Sequence, residues 1–148
     1  MTRLRKFLKL SASDRRLLVE TALFHGMARF ALLALPFRWV ASILGKNTEE
    51  TLGTIDRGHE EVAERVSWAV HVASRLAPWK STCLTETIAA KLALRRRGIT
   101  STLYLGAGRD ENQKICYHAW LKSGDNIVAG GPLDKSYIVV ATFAEQEK

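Results

Sequence analysis

The first half of the chain places apolar residues at helical spacing. Residues 11–14 form a cluster of capping residues directly before apolar positions spaced three and four apart, which predicts that a helix starts there. Pro36 and Gly45 flank a second short helix over residues 37–44, following the preference for proline at a helix start and glycine beyond its end. Residues 46–58 are polar and contain two glycines, so we expect a loop.

Two more helices are predicted in the middle of the chain. Between residues 60 and 77 the apolar side chains recur at steps of four and three, which is the stripe of an amphipathic helix, and Pro78 ends it. A second helix starts at Cys83 and runs to Arg97, where Gly98 supplies the left-handed residue that commonly follows a helix. The loop between these helices therefore delivers Cys83 to the first turn of a helix.

Beyond Ile99 the periodicity changes to that of strands. Strands are predicted over residues 102–105, 115–121, 127–129 and 137–143, with a turn over residues 106–113 and a hairpin turn over residues 123–126. Helices thus precede an antiparallel sheet, which predicts an α+β fold in a single domain spanning residues 1–148. Within this domain, residues 1–45 form a helical N-terminal part and residues 58–148 form the core.

Composition and charge narrow the classes of function. The chain has 148 residues, 47% of them apolar and 25% charged, which is typical of a folded globular protein. Its net charge of +7 would suit nucleic acid or anionic lipid as a partner, but the basic residues are scattered along the chain. The cluster at residues 95–97 complements the dipole at a helix C-terminus. Because the sequence has no recognisable basic helix or aromatic stripe, we expect no nucleic-acid partner.

The apolar run over residues 23–35 raises the question of a membrane. His25 and Arg29 interrupt this run, and Pro36 follows it, well short of about 20 uninterrupted apolar residues, so it does not predict a membrane span. The two N-terminal helices together are basic and amphipathic. Peripheral contact with a membrane surface is therefore kept as an alternative to packing in the core.

Cys83 and His118 carry the candidate chemistry. The chain has two cysteines, at positions 83 and 116, and no secretory signal, which fits neither a disulfide framework nor a zinc knuckle and points to a reducing cytosol. A thiol at a helix N-terminus ionises more readily and the thiolate is the nucleophile, although a free cysteine is more commonly a small buried hydrophobe. His118 follows on a central strand, and a cysteine and a histidine placed in this way are a common arrangement for acyl transfer.

Several short motifs, taken in order, resemble one family. They are Cys83-Leu84 at a helix start, the helix end Leu92-x-Leu94-Arg95-Arg96-Arg97-Gly98-Ile99, the segment His118-Ala119-Trp120-Leu121, the pair Gly130-Gly131, and in the front half residues 10–18 and 35–38. Their order and spacing resemble the transglutaminase-like leader peptidases of lasso-peptide biosynthesis over nearly the whole chain. The resemblance implies a transglutaminase/papain-like core, in which the nucleophile at a helix N-terminus packs on a small antiparallel sheet.

The resemblance also implies a function. It implies a cysteine protease, cytoplasmic and without a cofactor, that cuts the leader from a ribosomally made precursor peptide before a separate ATP-dependent lasso cyclase closes the macrolactam. The sequence has no room for the leader-binding domain of the fused form, so we expect the split type, which needs a separate leader-recognition protein. A transglutaminase-like acyltransferase or amidase would use the same two residues, and a non-catalytic peptide-binding module is the third alternative.

By the same resemblance, Cys83 is the nucleophile and His118 is the general base and acid. The sequence departs from the family at the third residue, since the family places an aspartate on the strand after the histidine to orient the imidazole. Here the residues expected opposite His118 are residues 130–132, which carry no carboxylate. Asp134 is the first candidate for this role and Asp125, at the tip of the hairpin, is the second. A side-chain amide or a backbone carbonyl is the alternative.

Overall fold

The computed structural model describes residues 3–47, 57–78, 82–124, 126–131 and 137–144. The helices are α1 (Arg3–Leu8), α2 (Ala12–Ala34), α3 (Phe37–Leu44), α4 (Arg57–Leu76) and α5 (Cys83–Arg96). The strands are β1 (Lys46–Asn47), β2 (Thr102–Arg109), β3 (Ile115–Ser123), β4 (Asn126–Ala129) and β5 (Ile138–Ala144). This combination of N-terminal helices and an antiparallel sheet confirms the predicted α+β fold.

Local signals set the ends of the N-terminal helices. The hydroxyl of Ser11 accepts a hydrogen bond from the backbone N–H of Asp14 at 3.1 Å, which caps α2 at the predicted position. Helix α3 begins after Pro36 and ends before Gly45, as predicted, and Gly45 has a φ of 129° that favours glycine. Helix α1, which has only six residues and buries no side chain, was not predicted from the sequence.

Among the described residues, five strands form one antiparallel sheet in the order β1-β5-β2-β3-β4. Strand β3 therefore lies between β2 and β4, and it carries His118. Strands β3, β4 and β5 agree with the sequence prediction to within two residues at each end. His118 therefore lies on an internal strand next to the edge strand β4, whereas the central strand of the five is β2.

The prediction of a loop over residues 46–58 is wrong at both ends. At the start, β1 pairs with the end of β5 and extends the sheet, a contact between segments far apart in the sequence that local composition does not reveal. At the other end, α4 already begins at Arg57. Residues 48–56 lie outside the described part of the chain.

Strand β2 is longer than the sequence predicts. The turn expected over residues 106–113 is strand as far as Arg109, with Gly106 directly opposite His118 of β3. Glycine is unfavourable in most strands, which is why this segment resembled a turn. The chain reverses only after Arg109, where the carboxylate of Asp110 accepts two hydrogen bonds from backbone N–H groups of the turn.

Helix α5 is held between the other helices and the sheet. It packs against α2 and α4 on one side and against β3, β4 and β2 on the other. The apolar core that joins these elements includes Leu17, Val66, Leu94, Leu103, Leu121 and Val128. Just beyond α5, the guanidinium of Arg97 donates two hydrogen bonds to the carboxylate of Glu20 in α2, at 2.7 and 2.9 Å. The start of α5, with Cys83, is thereby fixed relative to the sheet.

Helix α2 is the one helix among the described residues that is long and apolar enough to cross a membrane, judged by length and composition alone. One of its faces is buried and includes two polar side chains, Thr21 and His25. That face packs on α4 and α5, which agrees with the prediction that this run contributes to a core. The other face of α2 is exposed.

Candidate active site

Cys83 is the first residue of α5, as predicted. Thr82 caps the helix, because its hydroxyl accepts a hydrogen bond from the backbone N–H of Thr85 at 3.2 Å and lies 2.8 Å from the hydroxyl of Thr85. Thr85 is fully buried, so this cap is anchored in the core, whereas Cys83 is only partly buried. The thiol therefore lies at the positive end of a helix dipole, in a position that a substrate can reach.

His118 is held from one side by a backbone carbonyl. Its Nε2 lies 2.6 Å from the carbonyl oxygen of Gly130, which follows β4. A carbonyl oxygen can only accept, so in this hydrogen bond Nε2 carries the proton. In the neutral imidazole Nδ1 is then the unprotonated nitrogen and is able to take up a proton. This is the tautomer that a general base needs if the nucleophile lies on the Nδ1 side.

Gly130 is suited to this contact because it has no side chain. Its φ is +81°, and a Cβ built on it would lie 2.7 Å from Cα of Trp120 in the neighbouring strand. Any other residue would therefore combine a strained backbone with a steric clash. The glycine allows the chain after β4 to approach β3 closely enough for its carbonyl to reach the imidazole.

Aromatic rings stack against the imidazole ring of His118. The imidazole stacks on Tyr137, with ring centroids 5.2 Å apart, and lies 6.1 Å from the ring of Trp120, which itself stacks on Tyr104 at 5.4 Å. Gly106 makes space for this cluster, since a Cβ there would lie 2.7 Å from the Trp120 ring and 2.8 Å from Cβ of Tyr137. The glycine that suggested a turn in the sequence is thus explained by aromatic packing beside the histidine.

Cys83 and His118 line the same cleft, which has a volume of about 680 Å³. Residues 126–131 form one wall of it. Helices α4 and α5 contribute the side chains Ser67, Val70, His71 and Glu86. The structure therefore brings together the two residues that the sequence pairs as nucleophile and base. Cys116, two residues before His118 on β3, is not among the described residues that line this cleft.

The candidates for the third residue, Asp134 and Asp125, both lie outside the described residues. At the expected position opposite His118, the structure has the carbonyl of Gly130 at Nε2, while Gly131 lines the cleft. This contact agrees with the backbone-carbonyl alternative.

Sequence reasoning missed His71 and Glu86 as residues of the cleft. Glu86 lies one helical turn after Cys83, so the helix period alone places it on the same side of α5. His71 lies on α4, and its position depends on the packing of α4 against β4, which local sequence does not show. Among the described residues no group of three histidine, cysteine, aspartate or glutamate side chains is arranged to hold a metal ion.

Comparison with known families places the chain in the transglutaminase-like superfamily. The match covers residues 31–142, which is more than half of the chain and includes both Cys83 and His118, so the protein belongs to this superfamily. No curated protein and no solved structure matched the chain. The superfamily includes cysteine proteases and acyltransferases, and its members are generally cysteine-dependent enzymes. The family match therefore establishes the fold, and it supports a cysteine-dependent enzyme.

Proposed function

We propose that this protein is a cysteine protease that removes the leader from a lasso-peptide precursor, which a separate leader-recognition protein presents. The observation that carries the proposal is the cleft that Cys83, at a helix N-terminus, and His118, on the internal strand β3, line together. The motifs around these two residues are the ones that resemble the leader peptidases, and the family match supports cysteine-dependent chemistry.

The proposed reaction begins with proton transfer from Cys83 to His118. Because Nε2 of the imidazole is engaged by the carbonyl of Gly130, Nδ1 is the nitrogen that takes the thiol proton. The thiolate then attacks the carbonyl carbon of the scissile peptide bond, and the electron pair of the carbonyl moves onto its oxygen. The imidazolium formed in this step remains beside the tetrahedral intermediate.

The first turn of α5 supplies candidate donors for the negative oxygen of that intermediate. In the helix cap, the N–H of Thr85 donates to the hydroxyl of Thr82 and the N–H of Glu86 donates to the backbone carbonyl of Thr82. The N–H groups of Cys83 and Leu84 come before them in the same turn and are not used by this cap. We therefore assign oxyanion stabilisation to these two backbone groups.

The intermediate collapses when His118 returns its proton to the leaving amine, which becomes the N-terminus of the core peptide. The leader stays on Cys83 as a thioester. Water then attacks this thioester while His118 accepts one of its protons, and the leader leaves with a free carboxylate as the thiol regains its proton. If an amine replaces water in the last step, the product is an amide. Acyl transfer is therefore the alternative activity of the same two residues.

We further propose that the imidazole is oriented by the carbonyl of Gly130, without need of a carboxylate. A carbonyl fixes the tautomer as a carboxylate does, but it carries no full charge with which to stabilise the imidazolium. Replacing the two sequence candidates tests this point. We expect Asp134→Asn and Asp125→Asn each to keep cleavage within a factor of about three, whereas loss of an essential triad aspartate costs roughly 10⁴-fold in kcat. A loss of that size in either variant would restore that aspartate as the third residue.

The proposal also includes the partners of the protein and its location in the cell. The substrate is a precursor peptide, a separate leader-recognition protein presents it, and an ATP-dependent lasso cyclase uses the product. We propose a cytoplasmic location, with peripheral membrane contact through the N-terminal helices as the alternative. In this view residues 1–45 are the helical N-terminal part and residues 58–148 the catalytic core of a single domain.

The decisive test of the function is leader removal by purified protein. Precursor peptide, leader-recognition protein and this chain are combined, and the released leader is identified by mass spectrometry. We expect Cys83→Ala to abolish cleavage with an unchanged circular dichroism spectrum, and Cys116→Ala, the matched thiol control, to stay active. Cleavage by Cys83→Ala at a near wild-type rate would reject Cys83 as nucleophile. Amide products formed with an added amine, in place of free leader acid, would favour acyl transfer.

A further inference from the structure

Helix α2 exposes a continuous apolar stripe. The side chains of Val19, Leu23, Met27, Phe30 and Leu33 are 48–72% exposed and follow one another at steps of four and three along the helix. Single exposed apolar side chains are normal on a soluble protein, but an aligned set of this length marks a binding surface. The buried residues of α2 lie on its other face, so packing among the described residues does not explain the stripe.

The first part of this stripe forms the floor of a groove of about 950 Å³. The groove lies between α2, the first turns of α4 and the end of α5. Its apolar lining consists of Leu17, Val19, Leu23, Phe24, Met27, Val62 and Ile99. It shares no lining residue with the cleft at Cys83. A recessed apolar floor of this kind suits the inserted face of another element rather than a flat surface.

The rim of the groove carries an excess of positive charge. Its lining includes five arginines, at positions 15, 16, 65, 96 and 97, and a single carboxylate, that of Glu20. Glu20 is already shared between Arg97 at 2.7 Å and Arg96 at 3.5 Å. Arg65 pairs with Asp14 at 2.7 Å and lowers the pKa of that carboxyl, which therefore stays ionised. Two carboxylates thus face five guanidinium groups, and the partner is expected to bring further acidic groups.

We propose that this groove binds an amphipathic helix of another protein, one that has apolar residues on one face and acidic residues on its flanks. The apolar face would cover Val19, Leu23 and Met27, and the acidic flanks would meet Arg15 and Arg16. Four of the five stripe residues, Val19, Leu23, Met27 and Phe30, precede the start of the family match at residue 31. The proposal goes beyond the function of the cleft and holds whether Cys83 hydrolyses or transfers its acyl group.

A designed peptide tests the proposal directly. The probe is a fluorescein-labelled amphipathic peptide of about 18 residues, long enough for five helical turns, with leucines on one face and glutamates on both flanks. Fluorescence anisotropy measures its binding to the full chain. The controls are a peptide of the same composition in scrambled order and a peptide with lysine in place of each glutamate. We expect the glutamate-flanked peptide to bind at least about tenfold more tightly than either control, because apolar burial and charge both favour it.

Matched variants locate the binding surface. Leu23→Glu should weaken binding of the probe at least about tenfold, and Arg16→Glu should weaken it as well, since each removes one component of the groove. Ile115→Glu is the control, because Ile115 on β3 is 63% exposed, like Leu23 at 64%, and does not line the groove. Circular dichroism verifies that all three variants fold, and an unchanged rate of Cys83 alkylation by iodoacetamide shows that the cleft is intact.

Three results would overturn the proposal. Equal binding of the glutamate-flanked and lysine-flanked peptides would mean that charge complementarity does not contribute to binding, and equal weakening by Leu23→Glu and Ile115→Glu would mean that the peptide does not bind in the groove. Binding to phosphatidylglycerol vesicles with no binding to the peptide would mean that the stripe is a membrane-contact surface. Failure of leader cleavage would not bear on this outcome, because peptide binding is measured without a reaction.

Discussion

The cleft at Cys83 and the groove along α2 differ in the groups that line them. The cleft has a volume of about 680 Å³ and is lined by a thiol, two imidazoles, a carboxylate, a hydroxyl and the chain after β3. The groove has a volume of about 950 Å³ and is lined by an apolar floor with arginines around it. A few fixed polar groups suit bond chemistry, whereas apolar area bordered by charge suits association. In the proposed account, reaction and recognition therefore occupy regions that share no lining residue.

The two regions also differ in their relation to the family. All residues that line the cleft fall within the match over residues 31–142, whereas the part of α2 that lines the groove comes before it. The family match therefore includes the whole lining of the cleft but only part of the lining of the groove. Substitutions in the cleft should change the chemical step, and substitutions in the groove should change binding.

The largest expected effect is on the rate of leader cleavage, compared between a histidine that lines the cleft and a histidine that lines the groove. His118→Ala should lower the rate of leader cleavage at least about 100-fold, the lower end of the contribution of a general base. His59→Ala, on the groove side, should leave the rate within a factor of about three. Single-turnover kinetics measures both. Equal losses would mean that the two regions are not chemically distinct.

A smaller effect is expected from delivery of the substrate. Tethering the precursor through a separate leader-recognition protein raises its effective concentration at the cleft to roughly millimolar, so we expect at least about a tenfold gain in kcat/KM, mainly through KM. Steady-state kinetics with and without the partner measures this gain. A change in kcat instead would mean that the partner completes the active site. Full activity of the isolated chain on a complete precursor would contradict the proposal of a separate leader-recognition protein.

The aromatic cluster beside His118 should be sensitive to one added methyl group. Gly106→Ala would push a Cβ into Trp120 and Tyr137, and we expect it to lower the free energy of unfolding by about 1–3 kcal/mol, the usual cost of overpacking. Gly98→Ala is the comparison, since its Cβ meets nothing within 4 Å and only the positive φ opposes it, at roughly 1 kcal/mol. Urea unfolding measures both. A smaller cost at Gly106 than at Gly98 would contradict the tight packing around the imidazole.

The smallest effect concerns His25, which lies on the buried face of α2 and lines neither of the two regions. Burial lowers the pKa of His25 below its usual 6.5, with the nearby Glu86 opposing and Arg29 reinforcing this change. As the pH falls, His25 therefore takes up a proton at a higher pH in the unfolded chain than in the folded chain. The contribution to stability is complete above the unfolded pKa and is lost as the pH falls through the folded value.

This sign predicts a fall in Tm as the pH is lowered from about 7 to about 5, in the range where an unfolded histidine gains its proton. His25→Gln, which cannot titrate there, should show a smaller fall over the same range. Differential scanning calorimetry at several pH values measures the difference between the two proteins. A pH dependence of the same size in His25→Gln would assign the effect to other groups.

Sequence predicted well the parts of the fold that local signals specify. The cap at Ser11, the proline and glycine around α3, and Thr82 before Cys83 set helix ends through contacts within one turn, so their positions could be inferred without a structure. The placement of Cys83 at a helix start follows from the same signals. That Cys83 and His118 line one cleft depends on the tertiary fold, which was predicted from the family resemblance and not from local signals.

Other features depend on contacts between distant segments, which local sequence does not record. Strand β1 exists because β5 pairs with it, and β2 continues through Gly106 because Trp120 and Tyr137 fill the space above the glycine. The hydrogen-bond partner of Nε2 of His118 is a backbone carbonyl. Because every residue has a backbone carbonyl, the amino-acid type does not reveal which one makes this contact. The sequence could therefore leave a carbonyl as an alternative to Asp134 and Asp125 but could not identify Gly130.

The central claim is that His118 activates the thiol of Cys83, with which it shares a cleft. The most direct measurement is the alkylation rate of each cysteine by iodoacetamide at neutral pH, followed by peptide mass spectrometry. Cys83 and Cys116 are both partly buried, so the second is an internal control. We expect Cys83 to react at least about tenfold faster than Cys116, and His118→Ala to remove that difference, because thiolate content governs the rate. Equal rates in the wild-type protein, or a Cys83 rate that His118→Ala leaves unchanged, would contradict the account.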